Sequence, residues 1–185
     1  ADLLARAGQT EAAIDLALQA GAYAQARDWI ATCADTVLAQ GRRALFVDWC
    51  MRLPADALDA WLCYWMGVAH MADDATAEQW LSRAWQQFET ASDARGLCLT
   101  AARAVLAKAD SWRTHHGLAQ WTQRALHLLD VGLPPLQGDE ELLALTGLVR
   151  AVDFAEVYRC DSDARKALTQ HLLARIQQRR DGDST

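Results

Sequence analysis

Apolar residues along this chain return every three or four positions and rarely alternate with polar ones. Ala77, Trp80, Ala84 and Phe88 form one such stripe, Leu118, Trp121, Ala125 and Leu128 a second, and Leu142, Leu145, Val149 and Val152 a third. A helix turns once in about 3.6 residues, so this spacing gathers each set on one face. Breakers between the stripes predict helices over 10–20, 22–40, 42–53, 57–72, 76–91, 94–109, 114–130, 139–159 and 162–180. Gly8, Gly21 and Gly41 stand where a left-handed residue would close a helix, and residues 1–8 read as the last turns of one ending at Gly8. Pro54 stops the segment before it, and Gly132, Pro134, Pro135 and Gly138 mark the one clear loop. Thr76 with Gln79 has capping-box spacing, and Asp139 and Ser162 are candidate N-caps. Every connection is short, which requires neighbouring helices to pack antiparallel.

Composition narrows the class further. The 185 residues include 37 Ala and 26 Leu but only 11 Val and Ile and 13 Gly and Pro, a mix that favours helices and starves strands. With 52% apolar residues the chain can bury a core, and no apolar run approaches the roughly 18 residues of a membrane span. A soluble, all-α protein with one domain over 1–185 is expected. The five cysteines, Cys33, Cys50, Cys63, Cys98 and Cys160, are odd in number, contain no C-x-x-C pair and sit in apolar helical stretches. They read as reduced core thiols of a cytoplasmic protein. The opening residues have no basic, apolar leader pattern, and a start at Ala1 in mid-helix reads as a piece of a larger protein.

The net charge of -6 is unevenly held. Residues 1–90 carry 6 Lys and Arg against 12 Asp and Glu, whereas residues 91–185 carry 12 of each. The cations cluster no further than Arg165 with Lys166 and Arg175 with Arg179 and Arg180, so direct nucleic-acid binding by this chain is not expected. Adjacent His115 and His116 point about 100° apart on a helix and have no third ligand at suitable spacing, so no metal site is expected. No nucleophile, base and orienting group form a recognisable frame, and neither enzymatic activity nor a cofactor is expected. The pairs Asp73/Asp74 and Glu140/Glu141 sit at helix starts, where the helix dipole favours carboxylates.

An internal repeat is the most informative feature. Glu78-Gln79-Trp80-Leu81-Ser82-Arg83-Ala84-Trp85 aligns, 41 residues on, with Ala119-Gln120-Trp121-Thr122-Gln123-Arg124-Ala125-Leu126, and the two share Gln, Trp, Arg and Ala. Within these helices Ala77/Leu81/Ala84 and Leu118/Thr122/Ala125 fall at 0, +4 and +7, and Gly67 stands where a leading helix would need close contact. The architecture expected is a tetratricopeptide-like superhelix of antiparallel helix hairpins, an α-solenoid with irregular register. The shared tryptophans Trp80 and Trp121 are expected in the core.

The stretches Ala5–Gly21, Tyr23–Ile30 and Gly41 through Trp49 to Pro54 resemble the helical region of MalT-type bacterial transcription regulators of the LuxR family and STAND class. Trp61–Gly67 and Ala84–Leu97 are similar to the repeats of those regulators and of relatives with a bacterial transcriptional activator domain. The resemblance covers about residues 1–130, through loose motifs. Such regulators join an ATP-binding switch, a superhelical sensor and a DNA-binding output domain. This chain has no G-x-x-x-x-G-K-[ST] and no basic helix-turn-helix, so only the sensor part carries over. The resemblance implies a non-enzymatic module that binds a small-molecule effector or protein partner on its concave face and conveys that event to other domains of its parent. A structural spacer or self-association module, with a homo-oligomer as its product, is the alternative. Trp61, Trp65, His70, Arg103, Lys108 and Trp112, all on leading helices or their ends, are the candidate binding residues.

Overall fold

A computed structural model describes the backbone of residues 2–110, 117–158, 170, 173, 174 and 177, and the side chains of 9–108, 117–154 and those last four positions. Among the described residues there is no strand. Eight helices occupy them: α1 (Asp2–Gln19), α2 (Tyr23–Ala39), α3 (Arg43–Arg52), α4 (Ala60–Ala69), α5 (Asp74–Ala91), α6 (Ala94–Asp110), α7 (Leu118–Val131) and α8 (Gly138–Tyr158). The described residues are therefore all-α. Contacts gather it into two compact units, Ala1–Gln87 and Phe88–Thr185. The helix expected over 162–180, with its cap Ser162, lies outside the described residues apart from the four isolated positions.

In the first unit, α1 packs on α2 and α3, and α4 packs on α2 and α3. Ile14, Ala26, Ile30, Ala34, Phe46, Trp49, Cys50, Leu62 and Cys63 are fully buried between them. Gly21 and Gly41 close α1 and α2 with φ of 70° and 75°. Each is followed by a six-to-one hydrogen bond, from the Ala22 amide to the Ala17 carbonyl (2.9 Å) and from Arg42 to Val37 (3.1 Å). These are Schellman turns, and glycine adopts their left-handed residue without steric cost. Gly8 does not act this way, because α1 runs through it. One interior glycine costs about 1 kcal/mol relative to alanine, and the helix formers around Gly8 outweigh that.

Two ion-paired links tie α1 to its neighbours. Glu11 forms a two-pronged pair with Arg42. Asp15 accepts the Trp49 indole N–H at 3.2 Å and the Arg52 guanidinium at 2.6 Å. The Arg42 hydrogen bond holds the Glu11 carboxyl below its ordinary range. A carboxyl whose folded pKa is depressed adds stability above its unfolded pKa and loses it as the pH falls through the folded one. Glu11→Gln will therefore lower the urea midpoint slightly at about pH 7, and that difference will shrink as the pH falls through the depressed pKa of Glu11. A difference that persists undiminished in acid would show that the ion pair is not its source.

The ends of α4 and α5 depart from expectation. A single 3₁₀ turn at Ala55–Ala57 follows Pro54, and Asp59 caps α4 by accepting the Leu62 amide at 2.9 Å. The helix is thus shorter than 57–72, and a turn over His70–Asp73, closed by the Asp73 amide on the His70 carbonyl at 2.7 Å, leads into α5. The cap of α5 is Asp73 and not Thr76: the Asp73 carboxylate accepts the Thr76 hydroxyl at 2.6 Å and the Thr76 amide, which lower its pKa. The Asp73 carboxylate accepts both donors at the position just before α5, whereas Thr76 already lies inside its first turn. Gly67 does make the expected close approach, since a Cβ there would lie 2.6 Å from the Leu81 side chain of α5.

The second unit packs α6, α7 and α8 against one another. Asp93 caps α6 through the Gly96 amide at 2.9 Å, after a Schellman turn whose left-handed residue is Ser92 at φ 54°. The stripe expected on α7 is seen, with Leu118, Trp121, Ala125 and Leu128 all buried. On α8 the buried set is Ala144, Leu145, Leu148, Ala151 and Val152, while Leu142 and Val149 stand half-buried at its edge. Apolar residues wrap more than one side of α8, so spacing alone admits several registers. The close pass of Gly147 against Ala102 selects one. Asp139 lies inside the first turn of α8 instead of capping it.

The repeated segment has the same local geometry in both copies. Arg83 lies over the Trp80 ring at 5.6 Å and Arg124 over the Trp121 ring at 4.4 Å, while Ala84 and Ala125 are fully buried. Trp80 is only half-buried, however, whereas Trp121 is fully buried. The position that is Leu81 in one copy is Thr122 in the other, and the buried Thr122 hydroxyl makes no hydrogen bond among the described residues. An unpaired buried hydroxyl costs more than an apolar group of its shape. Thr122→Val will raise unfolding stability by about 1 kcal/mol, and a loss of stability would show that the hydroxyl is satisfied.

Candidate functional site

Helix α4 carries the candidate site. Its start is held from two sides: Asp59 caps it, and side chains of α5 grip the connection before it. Arg83 donates to the Ala55 carbonyl at 2.7 Å, and Gln87 donates to the Leu58 carbonyl at 3.3 Å. Leu62, Cys63, Tyr64, Met66 and Ala69 bury one broad side of the helix. Trp61 and Trp65 lie one turn apart at the margin of that side and are half-buried.

Tyr64 stands between the two indoles. Its ring centroid is 5.7 Å from that of Trp61 at 77° and 5.0 Å from that of Trp65 at 71°. Edge-to-face packing of this kind favours one arrangement of the rings, because each positive ring edge meets a negative face. The buried tyrosine thus packs edge-to-face on both tryptophans. Such indoles, apolar on the face and polar at N–H, suit a ligand with both apolar and hydrogen-bonding surface. Along the chain no Lys or Arg occurs between Arg52 and Arg83, while Asp56, Asp59, Asp73, Asp74 and Glu78 do, but Arg83 reaches the Ala55 carbonyl and Arg27 lies 3.9 Å from the Asp59 carboxylate.

Of the four other expected residues, His70, Arg103 and Lys108 are described. His70 is the C-cap of α4, about 180° round the helix from Trp61, and its Nδ1–H donates to the Met66 carbonyl at 2.8 Å. Arg103 and Lys108 belong to α6 of the second unit. Arg103 is half-buried, and Lys108 is buried at 7% exposure. Trp112, His115 and His116 lie outside the described residues. Tyr64 is the residue missed by sequence reasoning; its place three residues after Trp61 and next to Trp65 was the available signal.

The thiols are built for burial. Cys50, Cys63 and Cys98 are buried and Cys33 half-buried, and none of these four is in a disulfide. Burial pushes the Cys63 and Cys98 thiols up to about 11, and raises Cys50 and Cys33 as well. The thiolate is the nucleophilic form, so none of the four is primed to attack at neutral pH. Among the described residues no three His, Cys, Asp or Glu side chains are placed to hold a metal ion, and no helix is long and apolar enough to cross a membrane. Comparison with protein families, with curated proteins and with solved structures finds no match to this chain.

Proposed function

We propose that this chain is a non-enzymatic sensor and protein-interaction module of a cytoplasmic MalT-type transcription regulator, built as a tetratricopeptide-like solenoid. The reading joins the resemblance of residues 1–130 to the repeated Trp-x-x-Arg stack and the close pass of Gly67 against Leu81. The observation that carries the binding role is the Trp61–Tyr64–Trp65 array, in which a buried ring packs edge-to-face on two half-buried indoles. The effector or partner would lie against Trp61 and Trp65, and stacked hairpins would pass its binding to the rest of the regulator through small rotations between repeats.

Thermal unfolding of the protein against a panel of small sugars, metabolites and short peptides tests this, with tryptophan emission as a second readout. A ligand that binds only the folded state raises Tm with its concentration. The expected result is a saturable rise that Trp65→Ala abolishes while the unliganded variant still unfolds in one cooperative transition. A response that survives both Trp61→Ala and Trp65→Ala would remove the array from the site, and no response across the panel would overturn small-molecule sensing. The reading frame around this chain tests the regulator assignment separately, since a parent without a P-loop switch and an output domain would sink it.

A self-association module is the second reading, and it rests on Leu16 of α1 and Met51 of α3, which are 67% and 65% exposed. Sedimentation over a range of protein concentrations decides it. A dimer dispersed by Leu16→Ser with Met51→Ser would favour this reading, and a monomer at all concentrations would end it.

A further inference from the structure

We draw no further inference here: the strongest candidate, the exposed connection between α7 and α8 at Val131, Leu133 and Pro135 of the second unit, presents apolar side chains to solvent, and nothing in the structure shows what covers them.

Discussion

Replacing Trp121 by alanine will cost about 3–5 kcal/mol of unfolding stability, the range of a large aromatic truncated in a closed core. Trp121 is fully buried on α7, in the unit where α6, α7 and α8 pack on one another. Its removal leaves a cavity and takes away the ring under the Arg124 guanidinium at 4.4 Å. That stack adds about 0.5–2 kcal/mol to the packing loss. The same substitution at Trp80 will cost less, about 1–2 kcal/mol, because that indole is half-buried and its Arg83 neighbour also holds the Ala55 carbonyl. Urea unfolding followed by circular dichroism measures both. Should Trp121→Ala fail to fold, Trp121→Phe keeps a ring and will cost about 1–2 kcal/mol. Equal losses at the two positions would mean that the two copies of the repeat are energetically alike, against the difference in burial.

That contrast explains how much of this molecule can be read from its sequence. Spacing identifies Trp80 and Trp121 as equivalent, and the stacked arginines agree, but spacing cannot say which copy is closed over by neighbours. The all-α class is legible because alanine and leucine dominate and β-branched residues are few. Helix ends are legible where only one residue type fits, as at Gly21 and Gly41, whose positive φ a side chain would oppose. They are obscure at Ser92, where serine takes the same left-handed place, and at Asp73, where the carboxylate caps α5 three residues before the threonine that motif spacing selects. On α8 the run Leu142, Leu143, Ala144, Leu145 offers apolar faces in several directions, and tertiary packing makes the choice.

The candidate site follows the same logic. Trp61 and Trp65 are visible at helical spacing, and the structure links them through Tyr64. The role of Tyr64 is hidden in the sequence because a tyrosine that packs edge-to-face on other rings looks like any core aromatic. The burial of Lys108 is hidden too, since a lysine stem can lie along apolar surface while its charge is held elsewhere. His70 shares the helix with the tryptophans, but its place at the C-cap turns it to the Met66 carbonyl.

Gly147→Val will destabilise the protein by about 3 kcal/mol or more, and the argument turns on what the new side chain would strike. A Cβ at Gly147 would lie 2.5 Å from Ala102 Cα, 2.6 Å from its Cβ and 2.9 Å from its carbonyl oxygen. Two of those three are backbone atoms of α6, so no rotamer change relieves the overlap, and α8 itself must move away. At Gly67 the nearest atoms are Cδ2 and Cγ of the buried Leu81 side chain, both at 2.6 Å, with the Leu81 backbone N at 3.4 Å, so it is mainly a side chain that must shift and Gly67→Ala will cost less than Gly147→Ala. Intrinsic propensity works in the opposite direction. Glycine to alanine inside a helix ordinarily gains about 1 kcal/mol, so a loss at Gly147→Ala isolates the steric effect from helix formation. Urea unfolding of Gly147→Ala, Gly147→Val and Gly67→Ala side by side gives the measurement. The expected order of stability is Gly67→Ala above Gly147→Ala above Gly147→Val. A Gly147→Ala protein about 1 kcal/mol more stable than the parent would show the propensity gain with no steric loss, and the packing that selects the register of α8 would then have to lie elsewhere.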